Sequence, residues 1–377
     1  MEKVAIKKND LLQAFRALLF LNVFFLHAIG ELNAYGVTNV VSYFNYLQVT
    51  ITPFFAMSGF LLMQKDLQLG QSVSIKECFA SMWKRISRLY PLHFVTTFFL
   101  FLLWCLRYFH GGVLAEKLGR LLLELGFNVF LAQAWSMEPD MANSLNAPAW
   151  YLSAAAFLYF VFPLVQKITI RLTGGGRWLL CAAILTLRVL WAGASIKISN
   201  MIGSDYFATW ACYFFPLFRL ADFWIGCLAG RMYYENKERF SLSNFYAGAA
   251  QVVAAILGLL YFSINQKSER FLLQAFFDSQ IVRVLLSALW VYFFMEGKGL
   301  VRFAKVRPLV ALGNISGFCY LIHWPVILFQ STVRSFFNIK PSSWTPLLGW
   351  GVVLLEFAFT ILASVLWSLL SKKLKKK

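Results

Sequence analysis

The chain has 377 residues, of which 59% are hydrophobic and 14% charged, and it carries a net charge of +18. Soluble domains are about 45–50% apolar and about 25% charged. The composition therefore excludes an ordinary soluble protein and predicts an integral membrane protein. The six cysteines show neither a C-x-x-C pair nor a ligand spacing with histidine, so no disulfide framework and no metal site is expected.

Ten apolar runs are long enough to cross a bilayer. In chain order they cover 11–30, 43–63, 91–109, 149–167, 178–194, 214–232, 245–263, 280–296, 315–333 and 347–370. A shorter and weaker run at 118–135 predicts a re-entrant or interfacial helix. We therefore predict an all-α polytopic membrane protein with about ten transmembrane helices and both termini on one side.

The distribution of basic residues predicts which side that is. If the N-terminus is inside, the inside segments hold 23 lysines and arginines and the outside segments hold seven. Cytoplasmic loops are enriched in these residues, so the bias predicts that both termini are cytoplasmic. The positive charge is thus a signal of topology in the lipid bilayer, and no nucleic-acid partner is expected.

A single membrane-embedded domain is expected over residues 1–371, followed by a basic cytoplasmic tail over 372–377. No fused extracytoplasmic domain is expected. The first apolar run is too long for a signal peptide, so it is predicted to be a retained span. No internal repeat is evident, which disfavours a transporter built from repeats.

Two ionisable residues lie in the first predicted span. Arg16 and His27 are eleven residues apart, which on a helix puts them within about 20° of each other and about 16 Å apart along the axis. Ionisable side chains are costly inside a bilayer, so we expect them to face a cavity or a pathway. The alternative is that Arg16 extends to one membrane–water interface and His27 lies at the other.

Two groups of residues flank the cytoplasmic ends of the second and third spans. Ser58 and Gly59 would allow close approach of a ligand or, more commonly, of another helix. Arg85 and Arg88 precede the third span, where they could bind phosphate oxygens. The alternative for the arginines is ordinary positive-inside charge.

Later spans carry further candidates for a cavity or its support. Trp150 begins the fourth span, where the alternative is an interfacial aromatic belt. Arg219 and Asp222 are three residues apart and are expected to pair.

The last two spans also contain polar residues. Tyr320 and His323 share a helix face beside Pro325, which predicts a cavity wall at a kink. Glu356 is an intramembrane acid for which Arg188 is one candidate partner.

The order of these motifs resembles that of the acyltransferase-3 superfamily, polytopic membrane proteins that include bacterial O-antigen and other polysaccharide O-acetyltransferases. Five motifs of the family occur in sequence over most of the chain. They are Arg16 with His27, the run from Phe54 to Leu61, Arg85 and Arg88 before Pro91, Trp150 to Ser153 with Pro163, and Ser316 to Pro325.

The resemblance implies an O-acyltransferase that moves an acyl group, expected to be acetyl, from cytoplasmic acyl-CoA to a hydroxyl of a cell-surface or lipid-linked glycan. The expected location is the bacterial cytoplasmic (inner) membrane. Acetyl-CoA would be a co-substrate, and no permanently bound cofactor is expected. Four residues would bind the donor: Arg85, Arg88, Ser58 and Gly59.

His27 would be the general base, and Arg16 would stabilise the oxyanion or hold donor oxygens. Direct transfer and a relay through an acyl-enzyme both fit these residues. One departure concerns the acid that often follows the motif tryptophan by five residues, because this chain has Ala155 there. Glu31 and Asp222 are candidates to support His27 in its place.

Two other functions are alternatives. One is a transporter of lipid-linked sugars in which these residues line a path without chemistry. The other is an acyltransferase that acts on a small lipophilic metabolite, such as a macrolide. The sequence makes no prediction of oligomeric state.

Overall fold

A computed structural model describes residues 9–34, 51–65, 73–236, 242–264, 271–339 and 345–374. These residues form helices and turns and contain no strand. The first helices are α1 (Asp10–Ala34), α2 (Ile51–Lys65), α3 (Ile75–Ile86), α4 (Tyr90–His110), α5 (Leu114–Val129), α6 (Trp150–Arg171) and α7 (Gly174–Ile202). They are followed by α8 (Asp205–Thr209), α9 (Pro216–Asn236), α10 (Asn244–Ile264), α11 (Phe271–Asp278), α12 (Ile281–Glu296), α13 (Arg307–Phe336) and α14 (Pro346–Leu374).

Nine helical stretches of the described chain are long and apolar enough to cross a membrane. They correspond to nine of the ten predicted spans. The remaining predicted span, 43–63, matches the shorter apolar helix α2, and its residues 43–50 lie outside the described residues. The prediction of an all-α polytopic membrane protein is therefore confirmed.

The weaker run at 118–135 forms the amphipathic helix α5, which begins and ends several residues earlier than predicted. A short 3₁₀ turn, Gln133–Trp135, follows it. On the polar face of α5, Arg120 bonds to Glu124 at 2.9 Å and to Glu138 at 2.8 Å. Charged residues and leucines on different faces are typical of an interfacial helix, one of the two forms predicted for this run.

The chain divides into two compact units. The first contains the described parts of Met1–Phe15, Ile51–Arg85 and Ala154–Val310. The second contains the described parts of Arg16–Thr50, Ile86–Ser153 and Ala311–Lys377.

Close packing of α2 against α9 organises the first unit. Gly226 and Gly230 form a G-x-x-x-G pattern, and a Cβ added at Gly226 would lie 2.1 Å from the carbonyl oxygen of Ala56. On the facing helix, a Cβ at Gly59 would lie 2.1 Å from the carbonyl oxygen of Phe223. Small residues spaced in this way let two membrane helices approach through their backbones.

An aromatic core organises the second unit around α1, α13 and α14. Its fully buried residues include Phe20 and Phe24 from α1, Cys319 from α13 and Val353 from α14. Phe357 of α14 packs on Phe24 with ring centroids 5.1 Å apart. This core holds the face of α1 that carries His27 against α13.

Candidate functional site

Two histidines meet in the second unit. The Nδ1 atom of His27 on α1 and the Nε2 atom of His323 on α13 are 2.8 Å apart, a normal hydrogen-bond distance. The two rings are nearly parallel, with an angle of 4° between their planes. His323 is fully buried, whereas His27 is partly exposed. The pair therefore has one inner and one outer member.

The surrounding bonds determine which nitrogens carry protons. The Nδ1 atom of His323 is 3.2 Å from the carbonyl oxygen of Cys319, and a carbonyl can only accept, so this nitrogen donates. In a neutral ring the Nε2 atom of His323 is then the acceptor, and it receives the Nδ1–H of His27. Of the four ring nitrogens, Nε2 of His27 is then the one that keeps a free lone pair, so it is the nitrogen that can accept a proton.

Aromatic rings enclose the two imidazoles. Phe20 and Phe24 place their rings at steep angles to His323, with centroids 6.1 and 6.4 Å away. Trp324 makes an edge contact with His27 at 5.5 Å. These contacts limit rotation of both rings and exclude water from the inner one.

A loop before α6 is bonded to α13 beside His323. Pro325 lacks an N–H, so it cannot bond to the carbonyl of Leu321 four residues earlier. Asn146 fills this role: its Nδ2 atom donates to the Leu321 oxygen at 3.0 Å and to Thr96 Oγ1 at 3.0 Å. Trp324 donates to the carbonyl oxygen of Leu145 at 3.1 Å. The carbonyl that Pro325 leaves without a helical partner is thus bonded to a specific buried amide.

Tyr320 and Trp150 complete this region. The Tyr320 hydroxyl donates to the carbonyl oxygen of Pro148 at 2.9 Å, and its ring lies 5.9 Å from that of His323. Trp150 is only 4% exposed, so the alternative of an interfacial belt does not apply to it. The Tyr320 bond thus ties the loop before α6 to α13.

Arg16 lies on the same helix as His27 and is partly exposed. Because α1 is helical from Asp10 to Ala34, the predicted separation of about 16 Å on one helix face stands. Glu31 falls in the last turn of α1, and its side chain lies outside the described part of the structure.

A second group of predicted residues meets in the first unit. Arg85 stacks over the rings of Tyr159 and Phe162 at 5.9 and 5.1 Å, and its Nη1 atom donates to the carbonyl oxygen of Ser81 at 2.6 Å. The Tyr159 hydroxyl donates to Ser58 Oγ at 3.4 Å. Tyr159 therefore connects two residues that were predicted to bind the donor.

The other two predicted donor residues have different surroundings. Gly59 packs directly on α9, which is the helix-packing role given above as its commoner explanation. Arg88 belongs to the second unit, where its guanidinium lies 5.8 Å from the ring centroid of Phe318.

Asp222 lies between two arginines in the first unit. Its Oδ2 atom is 2.9 Å from Arg219, as the spacing predicted, and its Oδ1 atom is 2.5 Å from Arg188. Arg188 therefore pairs with Asp222, which corrects the suggestion that it pairs with Glu356. Since both carboxylate oxygens of Asp222 are bonded to arginine, its role is to neutralise these cations.

A π-helical turn, Trp210–Phe214, supplies further acceptors for this cluster. The carbonyl oxygen of Tyr213 accepts a hydrogen bond from Arg219 Nε at 2.6 Å. That of Cys212 accepts one from Gln280 at 2.9 Å, and Gln280 in turn accepts from Arg219 at 3.3 Å. Such turns leave carbonyl groups free of the regular helical pattern.

Comparison with known proteins bears on what this arrangement does. A family model described as an acyltransferase domain, acyltransferase-3, matches residues 9–370. The chain belongs to the acyltransferase-3 family. It is therefore a membrane-embedded acyltransferase, and the resemblance seen in its motifs is confirmed. No curated protein and no solved structure matches the chain.

The structure of this acyltransferase also identifies residues that the sequence analysis missed. Asn146 bonds to α13 in the second unit and Tyr159 bonds to Ser58 in the first, and neither residue had a distinctive spacing. The G-x-x-x-G pattern at Gly226 and Gly230 was readable in the sequence and was overlooked. Within the part of the chain that the structure describes, no three His, Cys, Asp or Glu side chains are placed to hold a metal ion.

Proposed function

We propose that this membrane acyltransferase moves an acetyl group from cytoplasmic acetyl-CoA to a hydroxyl of a cell-surface or lipid-linked glycan, with His27 as the general base. The observation that carries the proposal is the chain of bonds from Cys319 through His323 to His27. An alcohol is a poor nucleophile at neutral pH, and a histidine with a fixed basic nitrogen is suited to remove its proton.

The proposed reaction is a direct transfer. The acceptor oxygen attacks the thioester carbonyl carbon while its proton moves to Nε2 of His27. A C–O bond forms and the C–S bond breaks, and the proton then passes to the thiolate to give free CoA. His323 stabilises the transient imidazolium because its Nε2 atom accepts the Nδ1–H of His27. Arg16, on the same helix face, would stabilise the oxyanion that develops on the carbonyl.

The donor would enter from the cytoplasm. The positive-inside bias supports an orientation with both termini cytoplasmic in the bacterial inner membrane. In that orientation Arg85, in the last turn of α3, and Arg88, just before α4, would lie on the cytoplasmic side, where CoA phosphates would arrive. Tyr159 and Ser58 lie beside Arg85 and would contact the pantetheine arm. Gly59 contributes by letting α2 and α9 pack closely.

Release of CoA tests the proposal. Purified protein in nanodiscs is given acetyl-CoA with and without a crude lipid-linked glycan fraction, and free thiol is measured. We expect thiol release that depends on the acceptor and that falls by roughly 10²–10⁴-fold in His27→Ala. His110→Ala is the matched control, because His110 stacks on Phe336 at a helix end.

Two results would overturn the proposal. Absence of acetyl-CoA consumption by folded protein with the acceptor present would favour the transporter alternative. Consumption supported by a macrolide but not by glycan would favour a small-metabolite acceptor. Mass spectrometry of surface glycans, with and without the gene, should show the loss of one acetyl group per modified sugar.

A further inference from the structure

A cleft between α7, α9 and α12 in the first unit has no part in the chemistry proposed above. It consists of two adjoining cavities of about 370 and 400 Å³. They share the lining residues Arg177, Trp178, Met232 and Asn236, so they lie side by side. We refer to this space as the α7–α9–α12 cleft.

The mouth of the cleft is polar; Arg177 and Glu235 line it, and Arg231 lies beside Glu235. Both terminal nitrogens of Arg177 bond to the carboxylate of Glu235, and Arg231 Nε lies 2.7 Å from the same carboxylate. Two guanidinium groups thus share one carboxylate, which leaves a net charge of +1. Arg177 is buried at 7% exposure, so its position is fixed by packing as well as by charge. Fixed guanidinium groups are well suited to phosphate oxygens.

Away from the mouth the cleft becomes apolar. Its deeper walls include Cys181 from α7, Ile225 and Leu228 from α9, and Leu285 from α12. The lining residues of α9 extend from Asn236 to Ile225, eleven residues, which is about 16 Å along a helix axis. This length is roughly half of the ~30 Å thickness of the hydrocarbon core.

The sides of the cleft belong to membrane-spanning helices. Trp178 is 62% exposed, and Leu285 and Leu289 of α12 are also exposed. Exposed apolar side chains on spanning helices face lipid, so a ligand would enter the cleft from the bilayer. Tryptophan beside a charged mouth is typical of the membrane interface.

We propose that the α7–α9–α12 cleft binds one anionic phospholipid. Its phosphate lies at the mouth beside Arg177 and Arg231, and the upper part of one acyl chain lies in the apolar trough. The lining changes from charged at the mouth to apolar in the trough, and a phospholipid changes in the same order from its charged headgroup to its apolar acyl chains. In the orientation proposed above, the mouth is on the cytoplasmic side, whose leaflet attracts basic groups when it is rich in anionic lipid.

Fluorescence quenching by brominated lipids tests the proposal, with Trp178 as the reporter. The protein is titrated with phosphatidylglycerol or phosphatidylcholine that is brominated on its acyl chains. The signal of Trp178 is obtained by subtracting the signal of Trp178→Phe. We expect Trp178 to be quenched at a lower fraction of brominated phosphatidylglycerol than of phosphatidylcholine.

Two variants separate the mouth from the trough. Arg231→Gln should weaken the phosphatidylglycerol preference roughly five-fold, since it removes one cation from the mouth. Ala288→Phe should fill part of the trough without adding a second fluorophore, and it should remove the saturable quenching of Trp178 by either lipid. Arg302→Gln and Trp83→Phe are the controls, because both residues are exposed elsewhere in this unit. Arg231→Gln keeps the test decisive if the Ala288→Phe variant fails to fold.

Equal quenching by the two lipids would overturn the proposal, as would an unchanged preference in Arg231→Gln. Displacement of brominated phosphatidylglycerol by palmitoyl-CoA at lower concentration than by unlabelled phosphatidylglycerol would identify the occupant as an acyl-CoA instead. These readouts do not require acetyl transfer, so they stand or fall separately from the proposed activity.

Discussion

Replacement of His323 by leucine isolates the contribution of the inner histidine. Leucine fills a similar space among Phe20 and Phe24 but cannot accept the Nδ1–H of His27. His27 then loses the bond that fixes its tautomer and the acceptor that stabilises its protonated form. The substitution should therefore lower the rate of proton removal while leaving donor binding unchanged.

The size of the effect follows from the bond that is lost. Leaving a buried donor without its partner costs about 1–3 kcal/mol, and each 1.36 kcal/mol is a factor of ten in rate. We expect kcat for acetyl transfer to fall about 5- to 150-fold in His323→Leu, with the KM for acetyl-CoA unchanged. This loss should not exceed that of His27→Ala, because His323 acts through His27.

Two comparisons make the prediction specific to the hydrogen bond. His323→Gln offers an oxygen at a similar distance from the backbone and should recover part of the rate. The double variant His27→Ala with His323→Leu should be no slower than His27→Ala alone, because groups that act as a unit have non-additive effects. Initial rates of thiol release at saturating substrates provide the measurement. A folded His323→Leu protein with the wild-type kcat would refute the relay, and so would additive losses in the double variant.

Three further predictions concern stability, measured as unfolding midpoints in detergent. Asn146→Ala should lower the free energy of unfolding by about 1–3 kcal/mol, since the buried carbonyl of Leu321 loses its donor. Gly226→Ala should prevent folding because its Cβ would lie 2.1 Å from a backbone oxygen, whereas Gly119→Ala, which points into open space, should be tolerated. Asp222→Ala should cost about 3–5 kcal/mol, because it leaves two buried arginines without their carboxylate.

The fold could be predicted because the membrane restricts the choice of structure. Long apolar runs can only be helices when every backbone group must be bonded within the bilayer, so hydropathy alone located nine of the spans. The pairing of Arg219 with Asp222 could be predicted because residues three apart on a helix are neighbours. Local geometry is readable from a sequence.

The partners that complete each site come from distant parts of the chain. His323 is 296 residues from His27, and Arg188 is 34 residues from Asp222, so no helical spacing links them. In the sequence Asn146 is one polar loop residue among several. Only the structure shows that it bonds to the carbonyl of Leu321, which Pro325 leaves without a helical donor. Tertiary contacts of this kind depend on how helices pack against each other. The 3.6-residue period of apolar residues predicts a helix and its buried face, but not which helix it contacts.

The pairing of His27 with a second imidazole bears on the departure at Ala155. A carboxylate that supports a buried histidine brings a full charge into a region of low dielectric, where desolvation is costly. The pair of His27 and His323 is neutral at rest and acquires one positive charge only when the acceptor's proton is removed. The charge is then shared across the 2.8 Å bond, while the carbonyl oxygen of Cys319 holds the far end of the relay. An imidazole relay can therefore orient the base and stabilise its protonated form without a buried acid, at the cost of weaker stabilisation than a carboxylate would provide.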